Sequence, residues 1–223
     1  MTDLWNGETY HAHSKLQEKL ATDFLAALQK IFPVFPAQSQ ILDVGCGDGL
    51  VTSKISQFFP LIETIGIDSS ADMVQFATQN FKSADVRFQV DNAEVLKTIG
   101  DTEIAAVVSF NCLLWVQDLK RAFKAIHRVL KPGGWIGLLF PAEDHQESAI
   151  DDAYAQVTRE DAWKTYFSQT GKEINWNCHD LEAIRGMLLT VGFELQKIEF
   201  HHWSFPFENK TALRNLFAAG FQQ

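Results

Sequence analysis

Ile41-Leu42-Asp43-Val44-Gly45-Cys46-Gly47-Asp48-Gly49 carries an apolar run straight into three glycines at alternate positions, and a helical pattern begins at Leu50. A strand, a tight glycine turn and a helix start in that order make a ligand-binding loop. Glycine permits positive φ and lets a ligand approach the backbone, and a helix N-terminus behind it offers N–H groups. The spacing narrows the choice. A dinucleotide loop reads Gly-x-Gly-x-x-Gly and would need glycine where Leu50 stands. A phosphate-binding loop needs Gly-Lys-Ser/Thr, which is not here. The loop suits neither a pyrophosphate nor a triphosphate.

Moving outward, Ile65-Gly66-Ile67-Asp68 closes a second strand with an acid about 20 residues beyond the glycines, the place where a ribose diol is bound. One carboxylate accepts from both hydroxyls. Asp68 also reads as a cap for a helix near Ser70. The pattern continues on both sides. Leu16, Leu20, Phe24, Leu28 and Ile31 predict an amphipathic helix over 14–31, ended by Pro33 and Pro36. Strands are predicted at 40–44, 62–67, 86–90, 104–110 and 135–140. Helices are predicted at 50–59, 71–81 and 119–130, with a short turn at 93–97 and a Lys131-Pro132-Gly133-Gly134 turn. Alternation of this kind predicts an α/β, doubly wound, mainly parallel sheet.

After Pro141 the alternation lapses until a helix at 180–191 and a strand at 193–205. The chain therefore reads as a single domain over 1–223. Residues 1–36 form an N-terminal helix, 38–140 a ligand-binding core, 141–179 an insertion roofing the site, and 180–223 a helix, strand and tail. Its 223 residues are 46% hydrophobic with a net charge of −9, from 19 Lys and Arg against 28 Asp and Glu. That balance disfavours nucleic acid, which needs clustered basic residues. No apolar run reaches a membrane span, and Met1–Tyr10 does not read as a signal peptide. Three cysteines give no disulfide framework. A cytoplasmic protein without a membrane partner, monomeric or homodimeric, is expected. His11 and His13 read as a solvated N-terminal pair, and no metal site is expected.

Over residues 38–140 the ordered motifs resemble the class I S-adenosylmethionine-dependent methyltransferases. The resemblance implies S-adenosylmethionine as cofactor. Asp43, Gly45, Cys46, Gly47 and Gly49 look like the loop under its methionine part, and Asp68 like the ribose acid. Val90-Asp91-Asn92-Ala93 looks like the adenine turn, with Asp91 near the exocyclic amine and Asn92 and Ala93 offering backbone. Ser69, Met73, Phe110 and Asn111 complete the cofactor residues implied. Asp91 reads equally as the start of a turn.

Leu113-Leu114-Trp115-Val116-Gln117-Asp118 is similar to a signature of the juvenile hormone acid methyltransferases, with related forms in the trans-aconitate and malonyl-carrier enzymes. That likeness implies Gln17 and Trp115 as contacts to a substrate carboxylate. Leu114 replaces a His of the signature, and the sequence stops at Gln223, inside or just after Thr211–Ala219, where the family's usual last strand would follow: either that strand is absent or the sequence is short of it. A carboxylate is already an anion at neutral pH, so its methylation needs donors and no base. Ser14-x-x-Gln17 is also a capping box, and Trp115 also reads as core. The aromatic residues Trp163, Tyr166, Phe167, Trp176, Trp203, Phe205 and Phe207 read as core or as a pocket lining, and as a lining they suit an apolar small-molecule acid. Amine, phenol or carrier-bound acceptors remain alternatives, as does a binder without turnover. For an amine or phenol His11, His13, His145, His179, His201 and His202 are the available bases.

Overall fold

The computed structural model describes residues 5–32, 35–36, 38–141, 180–201 and 206–220. A central strand, β1 (Gln40–Val44), pairs on one side with β2 (Glu63–Asp68) and on the other with β4 (Ile104–Phe110). β3 (Val86–Val90) extends the sheet beyond β2, and β5 (Leu130–Leu139) beyond β4, giving the order β3-β2-β1-β4-β5. Every pairing is parallel. Parallel strands are buried on both faces, which is why these segments are near-continuous in Val, Ile and Leu.

The two-residue period of a strand sorts the core into two layers. Leu42, Val44, Ile65, Ile67 and Val107 face α5 (Leu119–Val129) and α6 (Leu181–Val191), meeting Phe123, Ile126, Ile184 and Leu188. Ile41, Ala106 and Val108 face α2 (Lys15–Ile31) and α3 (Leu50–Phe58), meeting Ala21, Leu25, Leu28 and Ile55. Each fully buried Ile, Leu or Phe here contributes about 1.5–3 kcal/mol. α4 (Ala71–Phe81) is capped by Ser70, whose Oγ accepts from Met73 N–H at 3.1 Å. α5 is capped by Asp118, which accepts from Arg121 N–H at 2.9 Å.

The doubly wound parallel sheet and its helices stand as expected. The structure differs in three places. A seven-residue helix, α1 (Gly7–His13), precedes α2, and Ser14 separates the two. β5 begins at Leu130, paired with Ile104, and the ladder shifts register before resuming at Trp135 opposite Ala106. The Lys131–Gly134 turn is thus a bulge inside the strand. Finally, residues 193–201 form no strand. Phe193, Leu195 and Ile198 pack on the core through their side chains, and the step from 195 to 198 breaks the two-residue period. The rest of that predicted strand, 202–205, lies outside the described residues, as does the predicted insertion over 142–179. A last helix, α7, spans Lys210–Gly220.

One arginine ties α5 to the turn after β3. Arg128 donates to the carbonyls of Ile99 (3.2 Å), Val95 (3.1 Å) and Leu96 (2.8 Å), and pairs with Asp101. Arg128→Ala leaves these carbonyls without their shared donor. A loss of about 2 kcal/mol is expected, read as a lower urea midpoint at unchanged slope.

Candidate functional site

The carboxyl ends of β1, β2 and β4 converge where the sheet order turns outward in both directions from β1 and β4, and such a switch point is the usual ligand crevice of an open α/β sheet. The glycine loop leaves β1 here. Its backbone donors are mostly turned inward. Gly45 and Cys46 N–H both reach Ile67 O at 2.8 Å, and Gly49 N–H reaches Cys46 O at 3.0 Å. Gly47 N–H goes to Asp68 Oδ2 at 3.0 Å, and Leu50 N–H to Asp48 Oδ1 at 3.2 Å. A phosphate cradle needs those donors facing the ligand. This loop instead gathers three acids, Asp43, Asp48 and Asp68, a field that suits a cationic ligand and opposes a phosphate.

Asp43 is the deepest of them, at 1% exposure. It lies on the strand face that looks toward α3, where Thr52 Oγ1 donates to its Oδ2 at 2.6 Å. Its Oδ1 is buried with no hydrogen-bond partner among the described residues. Burial pushes its carboxyl up to about 7, against the Thr52 bond, and the nearby Asp68 and Asp48 add to the rise. Folding thus favours the protonated form between about pH 4, the unfolded value, and pH 7. The ligand-free protein loses stability as pH climbs through that window. Asp43→Asn should melt near the wild-type temperature at pH 4 and progressively above it toward pH 8. A gap of equal size at both pH values would contradict this.

Asp48 joins the loop to the N-terminal helices. His11 Nδ1 lies 2.7 Å from its Oδ2, and Ser14 Oγ donates to the same oxygen at 3.4 Å. Gly7 N–H donates to Asp72 Oδ2 at 2.8 Å, fixing α1 on the start of α4. α1 therefore lies over the loop and brings Tyr10 to it, and α2, which follows at Lys15, brings Gln17. One cleft is bordered by Tyr10, Gln17, Asp43, Gly45, Gly47 and Phe110, with Cys46 alongside. Desolvation, then Asp48 and Asp68, push the Tyr10 hydroxyl well above the usual phenol range. Tyr10 and Asp48 were not among the sequence candidates. The spacing of Tyr10, Ser14 and Gln17 by four and three was the available signal. His11 is half-buried against Asp48 and the rings of Phe76 and Phe81, not solvated as expected.

The other candidates fall in distinct places. Gly49 serves packing: at φ +85 a Cβ would sit 2.6 Å from Ala77 Cβ. Burial pushes the Cys46 thiol far up, which makes it inert. Asp68 Oδ1 accepts from Ser70 N–H at 2.9 Å, so it both orders the next helix start and holds the loop. Ser69 is exposed and Met73 is buried. Asn111 ends β4 at φ 52. Trp115 ends a short 3-10 turn (Leu113–Trp115), its ring edge-on to Trp5 at 5.7 Å, and Trp5 is edge-on to Tyr10 at 6.1 Å. This aromatic row joins the signature turn to α1.

Asp91 is occupied by its own turn. It accepts from Asn92 N–H (2.7 Å), Lys97 N–H (3.1 Å), Thr98 N–H (2.7 Å) and Thr98 Oγ1 (2.5 Å). Burial raises its carboxyl, but the Thr98 hydroxyl and the three backbone donors outweigh it and hold it below the usual range. Four donors fill both oxygens. Asp91 therefore shapes the turn that carries Asn92 and Ala93. Gln17 makes no capping box: Ser14 has no side-chain cap bond, and Gln17 Oε1 is buried with no partner among the described residues.

Residues 42–138 match a family described as methyltransferase domain. The chain is 31% identical over 152 residues to trans-aconitate 2-methyltransferase of Deinococcus radiodurans, covering 68% of this chain and 55% of that protein. It is 29% identical over 187 residues to juvenile hormone acid O-methyltransferase of Drosophila melanogaster, covering 80% and 62%. The chain thus spans under two thirds of these two curated relatives. Among solved structures, phosphoethanolamine N-methyltransferase 2 of Haemonchus contortus, in complex with S-adenosyl-L-methionine, superposes with a TM-score of 0.59 at 23% identity. That match covers 77% of this chain and 36% of the other, a likeness of fold.

Proposed function

The chain belongs to the class I methyltransferases through its residues 42–138, and on that premise we propose that it methylates the carboxylate of an apolar small acid, with S-adenosylmethionine as its cofactor. The residues fit that cofactor. The loop offers acceptors where a phosphate ligand would need donors, and Asp43 Oδ1 and Gln17 Oε1 are buried acceptors with no donor among the described residues. When bound, the cofactor supplies an electrophilic methyl group on a sulfonium.

The chain's own residues then divide the work. Asp43, Gly45 and Gly47 hold the methionine half, and Asp68 accepts from the ribose hydroxyls. Asn92 and Ala93, presented by the Asp91 turn, border the adenine. Phe110 and Tyr10 keep the cleft dry, so a reacting carboxylate sheds water before it is aligned. Trp115 and the Gln17 amide N–H position that carboxylate without adding charge. No residue has to remove a proton, because the acceptor is already ionised.

The single observation that carries the acceptor class is the Leu113–Asp118 turn. It bears the signature resembling carboxyl methyltransferases, and the rings of Trp115, Trp5 and Tyr10 join it to α1, whose Tyr10 borders the same cleft as Gln17 of α2. Support also comes from two relatives named for carboxylic acids. The test is release of S-adenosylhomocysteine on a panel of fatty, terpenoid, aromatic and polycarboxylic acids, each paired with its amide. Turnover on acids and not amides is expected. Turnover on amines or phenols instead would overturn the acceptor class. On the best acid, Trp115→Phe should lower kcat/KM by about 10- to 100-fold, the loss of a positioning bond to an ion. S-Adenosylhomocysteine affinity should not change.

A further inference from the structure

α2 carries more apolar surface than the core uses. Ala21, Leu25 and Leu28 pack into the core at 0%, 0% and 5% exposure. Beside them runs a second line, Leu20, Phe24 and Ile31. Leu20 and Phe24 are half-buried, and Ile31 is 51% exposed. Helical spacing keeps the three on one flank, and Gln17, one turn before Leu20, begins the same line. This flank walls a groove of about 1090 Å³. Among the described residues no strand lies beyond β5, and the groove follows that edge of the sheet, with Leu138 of β5 and Leu188 of α6 in its lining.

The groove meets the cofactor cleft. Phe110 borders the cleft and Asn111, the next residue, borders the groove. Phe24 of the groove wall is edge-on to Phe110 at 6.0 Å. On α2 the hand-over is as short: Gln17 borders the cleft, and Leu20 borders the groove. A molecule held by its head at Gln17 therefore has an apolar path away from the reacting end.

We propose that this groove receives the tail of the acceptor, which is then a long-chain carboxylic acid of about 14 carbons. The inference rests on the carboxylate reading above and extends it from the head of the substrate to its tail. From Leu20 to Ile31 the helix rises about 16 Å, at about 1.5 Å per residue. An extended chain with C–C bonds of about 1.5 Å advances about 1.3 Å per carbon. About 13 carbons beyond the carboxyl thus carry the tail to the turn of Ile31. A short acid leaves this flank in water, whereas a long one covers it and gains with each methylene. A polycarboxylic acid brings charge against Leu20, Phe24 and Ile31 and gains nothing there.

The test is kcat/KM for unbranched saturated acids of about 6 to about 18 carbons, each kept below its micelle concentration. A rise of about two- to fourfold per methylene is expected, levelling near about 14 carbons, because an open groove buries each methylene only in part. Ile31→Gln puts an amide where the tail ends. It should lower the ratio of kcat/KM for the long acid to that for an acid of about 8 carbons by about tenfold, and Ile31→Leu should keep the wild-type ratio. Thermal melts show that each variant is folded at the assay temperature. Turnover of acids without dependence on length, or an unchanged ratio in Ile31→Gln, would overturn the groove assignment and leave the carboxylate reading standing. No turnover on an acid of any length would overturn the carboxylate reading, and this inference with it.

Discussion

Gly45→Ala should unfold the protein more readily than any single exposed change, by roughly 3–5 kcal/mol, the range of severe packing and strain defects. At φ +80 an alanine is strained before any contact is counted. Its Cβ would then lie 2.2 Å from both Cβ and Sγ of Cys112. Cys112 has little room to yield. Asn111 N–H just before it is bound to Leu139 O at 2.7 Å, and Cys112 O accepts from Trp115 N–H at 2.9 Å. The measurement is the urea midpoint, with far-ultraviolet dichroism to show a folded baseline. The second variant makes the cause visible. Cys112→Gly in the Gly45→Ala background removes both clashing atoms and leaves only the backbone strain of about 1–3 kcal/mol. Partial recovery is expected. No recovery would place the damage elsewhere than the Gly45–Cys112 contact.

Asp68→Ala should weaken S-adenosylhomocysteine by about 10- to 150-fold, the scale of 1.5–3 kcal/mol for bonds to a charged group. Two causes add. The side chain is the ribose acceptor in the proposed complex, and it already holds Gly47 N–H at 3.0 Å and so fixes the loop. A ligand cycle separates them. If Asp68 binds the diol, a 2′-deoxy form of the ligand binds the wild-type chain less well than the parent, and the alanine variant no longer distinguishes the two. If Asp68 acts only through the loop, both ligands lose the same factor in the variant. Unchanged affinity for the parent ligand would remove Asp68 from the site.

The sheet was readable because its signals are local. Apolar runs of five to seven residues, each followed by a helical period, locate β1, β3, β4 and α4 to within a residue. α1 gave no such signal. Gly7–His13 has no apolar stripe, and what holds it is long-range and polar: Asp48 to His11, Asp72 to Gly7. Such contacts exist only once the fold has formed. The same holds for Asp91. A carboxylate after a strand serves a ligand or its own turn equally well on paper, and four donors from residues 92, 97 and 98 decide for the turn. Residues 193–201 misled for the opposite reason, since apolar side chains that fill a core need no strand ladder to do so. The acids of the loop were visible, but their electrostatic sense was not. It depends on loop N–H groups facing away from the ligand side.

β1 lies at the middle of the sheet, yet it is made before either strand that borders it. Its partner β2 follows within about 20 residues, while β4, which closes its other edge, is complete only at Phe110. At about 5–20 residues per second, ribosomal synthesis leaves that apolar edge open for roughly 3–13 seconds. During this interval the nascent chain offers Ile41 and Leu42 on a strand whose β4 edge is still unpaired. Slower elongation between residues 44 and 110 lengthens the exposure, so the yield of native protein should depend on chaperone supply more than the stability of the finished fold would suggest.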